Sequence, residues 1–288
     1  MKSIAFLSPE FQKDILRQKT VYDGPCGQWT CGPFLSYIVL SCYVMISLSC
    51  HHTLAPQTSA SVSMEITDAN GNIQLLGKAS RKRLEQAPFG DWYNKNYDSY
   101  VVDSATASRL RPELAGKQVM VFMGTWCGDS RREVPRFFKV LDCCRIDTSS
   151  IQLITVAASA DQYKQSPGHE ERGRDIFRVP DFIVLDHGRE LGRVVESPVT
   201  SLEKDLLSIV SGEPYTPKYP GEALLATLFH QEKIKKIRRQ LPQLTEKLRP
   251  LVGSSGELVS YAHVLDASGD REKADLVREL KTRLFPGG

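Results

Sequence analysis

The residue best suited to chemistry is Cys127, which stands at a predicted boundary between a strand and a helix. The sequence from residue 118 to residue 136 reads QVMVFMGTWCGDSRREVPR. Residues 119–123 are all apolar, which predicts a buried strand, and the apolar residues after Cys127 recur at helical spacing. At the start of a helix, unpaired N–H groups and the positive end of the helix dipole favour the thiolate, which is the nucleophilic form of cysteine. The sequence therefore makes Cys127 the candidate nucleophile, while the negative charge of Asp129 opposes the helix dipole.

This thiol has no neighbouring thiol to work with. The position three residues after it is Ser130, so the pattern is Cys-x-x-Ser. Cys143 and Cys144 fall near the far end of the predicted helix, roughly 24 Å away along its axis, whereas a disulfide needs Cα atoms within about 7 Å. Because residues three apart share one helix face, we expect the Ser130 hydroxyl to hydrogen-bond the thiolate. No spacing of cysteines with histidines fits a metal site, and we expect no metal and no cofactor.

The elements around Cys127 alternate between strands and helices. A β-branched apolar run predicts a second strand covered on both faces, and Val179-Pro180 precedes a strand, a turn and a return strand. The predicted ranges are strands 151–158, 181–185 and 190–196, helices 104–110 and 201–210, a helix that begins at Cys127 and ends near Cys143 and Cys144, and a short helix near 170–177. The order β-α-β-α-β-β-α indicates an α/β fold with a central mixed sheet flanked by helices.

The segments WCGDSRREVP and SPGHEERGRDIFRVP resemble bacterial thioredoxin-family proteins, and the resemblance covers about residues 101–212. It implies a thioredoxin-like fold, with a cis bond between Val179 and Pro180 opposite the active cysteine. It also implies that Trp126, Val179 and Pro180 shape the substrate groove. The sequence departs from the family at Ser130, where a second cysteine is usual, and at Val121, where thioredoxins carry a buried aspartate. Both departures argue against two-thiol reduction.

A single thiolate still supports thiol–disulfide exchange of the monothiol isomerase, reductase or deglutathionylation type. Cys127 and Ser130 are the expected catalytic residues, and protein disulfides, protein thiols or small thiols are the expected partners. The alternative is a non-catalytic thioredoxin-fold adaptor that binds a protein through its C-terminal helices. The formal net charge of +3 gives no reason to expect nucleic acid.

The N-terminal hundred residues divide into two parts. Residues 1–50 include the uncharged apolar run FLSYIVLSCYVMISLS, followed by Cys50, which is typical of a secretory or lipoprotein signal. This predicts a bacterial cell-envelope protein, periplasmic or attached to a membrane by its N-terminus; the alternatives are an uncleaved anchor and a cytoplasmic protein. Residues 51–100 read as a linker and an extension, with a hairpin turn at residues 68–72 and aromatic residues expected to pack the extension onto the main domain.

Residues 213–288 predict an all-α C-terminal appendage. A proline-rich linker precedes a helical segment at 222–249, in which apolar residues recur every three or four positions and Pro242 divides the helix. Residues 257–286 resemble one tetratricopeptide-type helical hairpin. About three such repeats are needed for an independent array, so we expect this hairpin to cap the preceding helices or to offer a protein-binding surface.

Overall fold

The computed structural model describes residues 63–68 and 70–287. The predicted signal or anchor segment within residues 1–50 lies outside these residues, so the envelope location stays a prediction. In the part of the chain that is described, no helix combines the length and the apolar character that a membrane span requires.

The described residues contain one six-stranded mixed sheet. Its strands are β1 (Met64–Thr67), β2 (Ile73–Ala79), β3 (Gln118–Met123), β4 (Ile151–Thr155), β5 (Asp181–Asp186) and β6 (Arg189–Val195). Across the sheet they lie in the order β1-β2-β4-β3-β5-β6. Strands β3 and β4 are parallel, whereas every other neighbouring pair is antiparallel. The predicted α/β class with a mixed sheet is confirmed.

The ten helices of the described residues follow the same numbering. They are α1 (Arg81–Leu84), α2 (Gly90–Ser99), α3 (Ser104–Leu114), α4 (Gly128–Cys144), α5 (Leu202–Ser211), α6 (Pro220–Gln231), α7 (Ile234–Arg239), α8 (Leu241–Leu248), α9 (Ser255–Ala267) and α10 (Arg271–Leu284). The side chains of Ser80 and Asp103 accept hydrogen bonds from the first turns of α1 and α3. These two residues are therefore the N-caps of their helices.

Strand β3 is buried on both faces, and alternate side chains enter different cores. Val119, Val121 and Met123 join a core with the apolar residues of α4, including Phe137 and Phe138. Met120 and Phe122 pack on the opposite face with residues of β4 and β5. This alternation follows from the two-residue period of a strand. It fixes the end of β3, and therefore Cys127, in a rigid part of the molecule.

The N-terminal extension adds to both the sheet and the helical layer. The antiparallel strands β1 and β2 form the predicted hairpin, and the Asp68 N–H donates to the Asn72 carbonyl at its turn. The second strand, β2, pairs with β4. The Leu75 N–H donates to the Thr125 hydroxyl at 3.1 Å, which ties β2 to the turn before Cys127. Phe89 and Tyr93 are buried in the main core. The expectation that aromatic residues pin this extension to the main body is confirmed.

The C-terminal helices form a separate apolar core, which also receives Phe177 and Val195 from the sheet region. The stripe predicted from sequence supplies Ile237, Leu241 and Leu248 to this core. The segment breaks twice rather than once, because the chain leaves helical geometry at Glu232 as well as before Pro242. Helices α9 and α10 form the predicted hairpin.

The short helix expected near residues 170–177 is wrong, because this segment is a run of turns. His169 and Asp175 both have φ of 54°, which lies in the left-handed region. The Ser166 N–H donates to the Glu171 carboxylate and the Glu170 N–H donates to the Ser166 hydroxyl, so side chains within the loop satisfy backbone groups that a helix would otherwise pair.

Candidate functional site around Cys127

Cys127 is the N-cap residue of α4, as the sequence predicts, with extended backbone geometry. Its N–H donates to the Gly124 carbonyl at 3.0 Å, which closes the turn after β3. The thiol is half-buried and free. It donates to the carbonyl oxygen of Val179 at 3.3 Å, so this sulfur lies between the start of α4 and the loop that enters β5.

Val179 and Pro180, the two residues expected opposite the cysteine, are brought to it. Both are buried, and the peptide bond between them is cis, as expected. The Pro180 carbonyl accepts a hydrogen bond from the Glu196 N–H at 2.7 Å, which joins this corner to the end of β6. Three elements therefore converge at the thiol: the first turn of α4, the entry to β5 and the end of β6.

Trp126 also reaches the site, where it is fixed by a hydrogen bond. Its indole N–H donates to the Val156 carbonyl at 2.9 Å. The ring lies so close to Gly124 that a Cβ there would stand 2.5 Å from an indole carbon. Trp126 and Cys127 both pack against the core that contains Met120 and Phe122 of β3. The indole is thus a fixed, half-exposed wall beside the sulfur.

Ser130 occupies a different environment from the one predicted. Its side chain is fully buried, and its hydroxyl accepts a hydrogen bond from the Gly124 N–H at 3.2 Å. Within the described residues it makes no hydrogen bond to Cys127, whose thiol points to Val179 instead. Ser130 therefore holds the turn that carries the cysteine. A hydrogen bond from Ser130 to the thiolate form stays a prediction.

The charged residues nearest the cysteine are paired. Asp129 accepts from Arg132 at 2.6 Å, and Arg132 also contacts the buried Glu133. Arg131 donates to the Thr125 carbonyl at 2.5 Å, and its guanidinium lies 5.9 Å from the centre of the Trp92 ring. The N-terminal extension therefore touches the first turn of α4.

Asp181 follows Pro180 but is buried beneath the site, where it accepts from Arg193 at 2.9 Å. Burial raises the pKa of this carboxyl above its ordinary value, while the Arg193 guanidinium acts in the opposite direction. The Asp181 carboxyl is thus part of a buried ion pair between β5 and β6.

Sequence reasoning missed the contribution of the loop after β4. Three consecutive residues of this loop, Tyr163, Lys164 and Gln165, contact α9. The Tyr163 ring stacks on His263 with ring centres 4.5 Å apart and an angle of 13° between the planes. The same tyrosine lies 5.8 Å from the Trp126 ring. For the hairpin that contains α9 the sequence predicts a cap on the preceding helices or a protein-binding surface, and no sequence pattern joins it to this loop.

Lys164 is buried despite its charge. Its ammonium group donates to the Phe177 carbonyl at 2.6 Å and to the Ser260 hydroxyl at 3.3 Å. Burial lowers its pKa to about 7, and the positive charge of Arg178 acts in the same direction. A lysine in this position links the loop before Pro180 to α9.

A second buried charge lies behind the Pro180 corner. Glu222 is fully buried at the start of α6, and neither of its carboxylate oxygens has a hydrogen bond. The nearest ion-pair partner is Arg178, at 3.9 Å, which also approaches Glu196 at 3.7 Å. Burial raises the pKa of Glu222 to about 7. This side chain is the clearest unsatisfied polar group near the site.

His169 is an exposed loop residue that contacts Glu171. Among the described residues, no group of three or more histidine, cysteine, aspartate or glutamate side chains is placed to hold a metal ion.

No protein-family model matches this chain, and no curated protein matches it either. Among solved structures, the chain is similar to a crystal structure of a protein of unknown function from Pseudomonas aeruginosa. The sequence identity is 19%, the match covers 44% of this chain and 86% of the other, and the TM-score is 0.33. At that TM-score the likeness supports no argument about fold or function.

Proposed function

We propose that this protein is a thioredoxin-like thiol–disulfide exchange protein that acts through the single thiol of Cys127. The observation that carries the proposal is the position of this sulfur. It stands half-exposed at the N-terminus of a 17-residue helix, 3.3 Å from the Val179 carbonyl and beside Trp126. A thiol at a helix N-terminus is favoured as the thiolate, which is the attacking form.

The sheet supports the thioredoxin-like part of this proposal. Strand β3, helix α4 and strand β4 form a parallel unit, and the antiparallel pair β5–β6 with α5 follows it along the chain. The cysteine follows β3, and the Val179-Pro180 pair precedes β5, which is the neighbour of β3 in the sheet. This is the arrangement that the resemblance implies.

The chemistry needs two exchange steps. The Cys127 thiolate attacks one sulfur of a substrate disulfide, which forms a mixed disulfide and releases the other sulfur as a thiolate. A second thiol then attacks the mixed disulfide, forms the new disulfide and releases Cys127 as a thiolate. The second thiol comes from the same substrate in an isomerase, or from a small thiol in deglutathionylation. Trp126, Val179 and Pro180 form the surface on which the substrate sulfur rests.

The structure offers no local second thiol within the described residues. Cys144 is buried and Cys143 is exposed, and both lie at the last residues of α4. The residue at position 121 is a buried valine, so no carboxylate is available there to accept a proton. These observations favour a monothiol reaction. They also keep open the alternative of a non-catalytic adaptor whose C-terminal helices bind a protein.

The decisive experiment is to treat the full chain with glutathione disulfide and to locate the mixed disulfide by peptide mass spectrometry. We expect rapid modification at Cys127, reversed by reduced glutathione. Cys127→Ser should abolish it, whereas Cys143→Ser, the matched control at an exposed thiol, should leave it unchanged. Modification of Cys127 no faster than that of Cys143 would refute exchange chemistry and favour the adaptor.

A further inference from the structure

We propose that Tyr163 and His263 are specificity-determining residues that extend the Cys127 groove for an extended polypeptide disulfide carrying an aromatic side chain near its cysteine. This inference rests on the proposed exchange function. It assigns to α9, a helix of the C-terminal appendage, a direct part in recognising the substrate.

The loop after β4 contacts α9 through three successive residues, so the position of the loop on the helix does not depend on one contact. Tyr163 stacks on His263, the Lys164 ammonium donates to the Ser260 hydroxyl, and the Gln165 amide donates to the Ala267 carbonyl. The bonded residues span two turns of α9. The Lys164 ammonium keeps its hydrogen bonds to both the Phe177 carbonyl and the Ser260 hydroxyl only while the loop stays packed on α9.

The aromatic rings form a continuous line that begins beside the thiol. Trp126 is next to Cys127 in sequence and packs with it on the same core. The ring centres of Trp126 and Tyr163 are 5.8 Å apart, and those of Tyr163 and His263 are 4.5 Å apart. The rings are half-exposed, as is the thiol. A substrate crossing them is therefore in contact with planar side chains throughout.

The length of this line indicates the class of substrate. The two ring-centre separations allow at most about 10 Å from Trp126 to His263, and an extended chain advances roughly 3.3–3.6 Å per residue. A peptide that lies along these rings with its cysteine at Cys127 would therefore bring a residue about three positions away towards His263. A small disulfide cannot reach that far. An aromatic side chain at this place would stack on the exposed ring surface, an arrangement worth roughly a three- to tenfold gain in affinity.

The line continues beyond His263. This residue borders an open groove of about 450 Å³ between α9 and α10, together with Val259 and Arg278. Val259 is 55% exposed and is one of the large apolar side chains on the surface of the described residues. A path that leads from the thiol to this groove fits a polypeptide and exceeds what a small thiol requires.

The test compares the mixed disulfides that glutathione forms with five partners. Two are nine-residue peptides with a central cysteine and a tyrosine three residues before or after it, two are the same peptides with glycine in place of the tyrosine, and the fifth is free cysteine, with no peptide extension. The rate of thiol exchange with Cys127 is measured for the wild-type protein, His263→Ala and His263→Phe. The matched control is His187→Ala, in the β5–β6 turn at the far end of β3 from Cys127.

We expect one tyrosine peptide to react about three- to tenfold faster than its glycine counterpart. His263→Ala should remove this preference, and His263→Phe should restore it because it keeps a planar ring. Neither substitution should change the rate with the small disulfide, and His187→Ala should change nothing. If His263→Ala slows exchange equally with all probes, the role of His263 is structural and the proposal is overturned. A wild-type protein that shows no preference for the tyrosine peptides would also overturn it.

A second readout separates this inference from the proposed reaction. Binding of the fluorescently labelled peptides to the Cys127→Ser protein is measured by anisotropy, which requires no exchange. If exchange fails but the tyrosine peptide binds in a manner that depends on His263, the proposed reaction is wrong and the recognition surface stands. If binding does not depend on His263, the inference is wrong whether or not exchange occurs.

Discussion

Glu222 gives a quantitative test of how the C-terminal helices are attached. The Glu222→Gln substitution replaces a fully buried carboxyl, whose two oxygens lack hydrogen bonds, with a neutral side chain of the same shape. Arg178, Glu196 and Glu257 are the charged groups that act on it. The two acidic neighbours oppose ionisation, and Arg178 at 3.9 Å favours it.

The magnitude follows from the shift in pKa. Burial raises the pKa of Glu222 from 4.5 to about 7. The folded state therefore holds this proton more tightly than the unfolded state, and the free energy of unfolding falls as pH rises between these two values. One pH unit corresponds to about 1.4 kcal/mol, so the full loss is about 3 kcal/mol above pH 7. The loss is absent below pH 4.5.

We expect Glu222→Gln to match the wild type near pH 4.5 and to exceed its stability by up to about 3 kcal/mol at pH 8. The measurement is urea-induced unfolding at unit steps of pH. Glu246→Gln is the matched control, because that side chain is exposed on α8 and its pKa is lowered by Arg249. It should follow the wild type from pH 5 to pH 8. A constant difference between Glu222→Gln and the wild type at every pH would refute the reasoning.

Three further substitutions test how the site is supported. Thr125→Val removes the acceptor of the buried Leu75 N–H and should lower the free energy of unfolding by about 1–3 kcal/mol. The measurement is hydrogen exchange at the Leu75 amide, which should become faster. Gly124→Ala places a Cβ against the Trp126 ring. It should lower the free energy of unfolding by about 1–3 kcal/mol and shift the fluorescence emission of the indole. An unchanged emission spectrum would contradict this prediction. Leu248→Ala empties a fully buried position in the C-terminal core and should lower the free energy of unfolding by about 2–5 kcal/mol.

The sequence was most informative where structure depends on short-range pattern. The apolar run before Cys127 and the helical spacing after it predicted β3 and α4, because strand and helix periods are visible within a few residues. The proximity of Cys127 to Val179, which are 52 residues apart, came from the resemblance rather than from any local pattern.

The sequence failed where a contact between distant segments decides the outcome. Nothing local indicates that the β1–β2 hairpin joins β4, or that His263 stacks on Tyr163 about a hundred residues earlier. The loop at 170–177 has helix-forming residues, but Ser166 and the carboxylates of Glu170 and Glu171 stabilise turns instead. The Ser130 hydroxyl likewise turns to Gly124, since its buried position favours a backbone partner.

The pairing of β2 with β4 has a consequence for the solubility of the protein. Without β2, the apolar strand β4 would be an edge with unpaired backbone groups, which is a template for pairing between molecules. The hairpin moves the edge to β1, a four-residue strand with mostly exposed side chains, one of which is Glu65. A chain shortened to begin at Ser80 should therefore self-associate through β4. The hairpin prevents this aggregation because it covers the edge of β4.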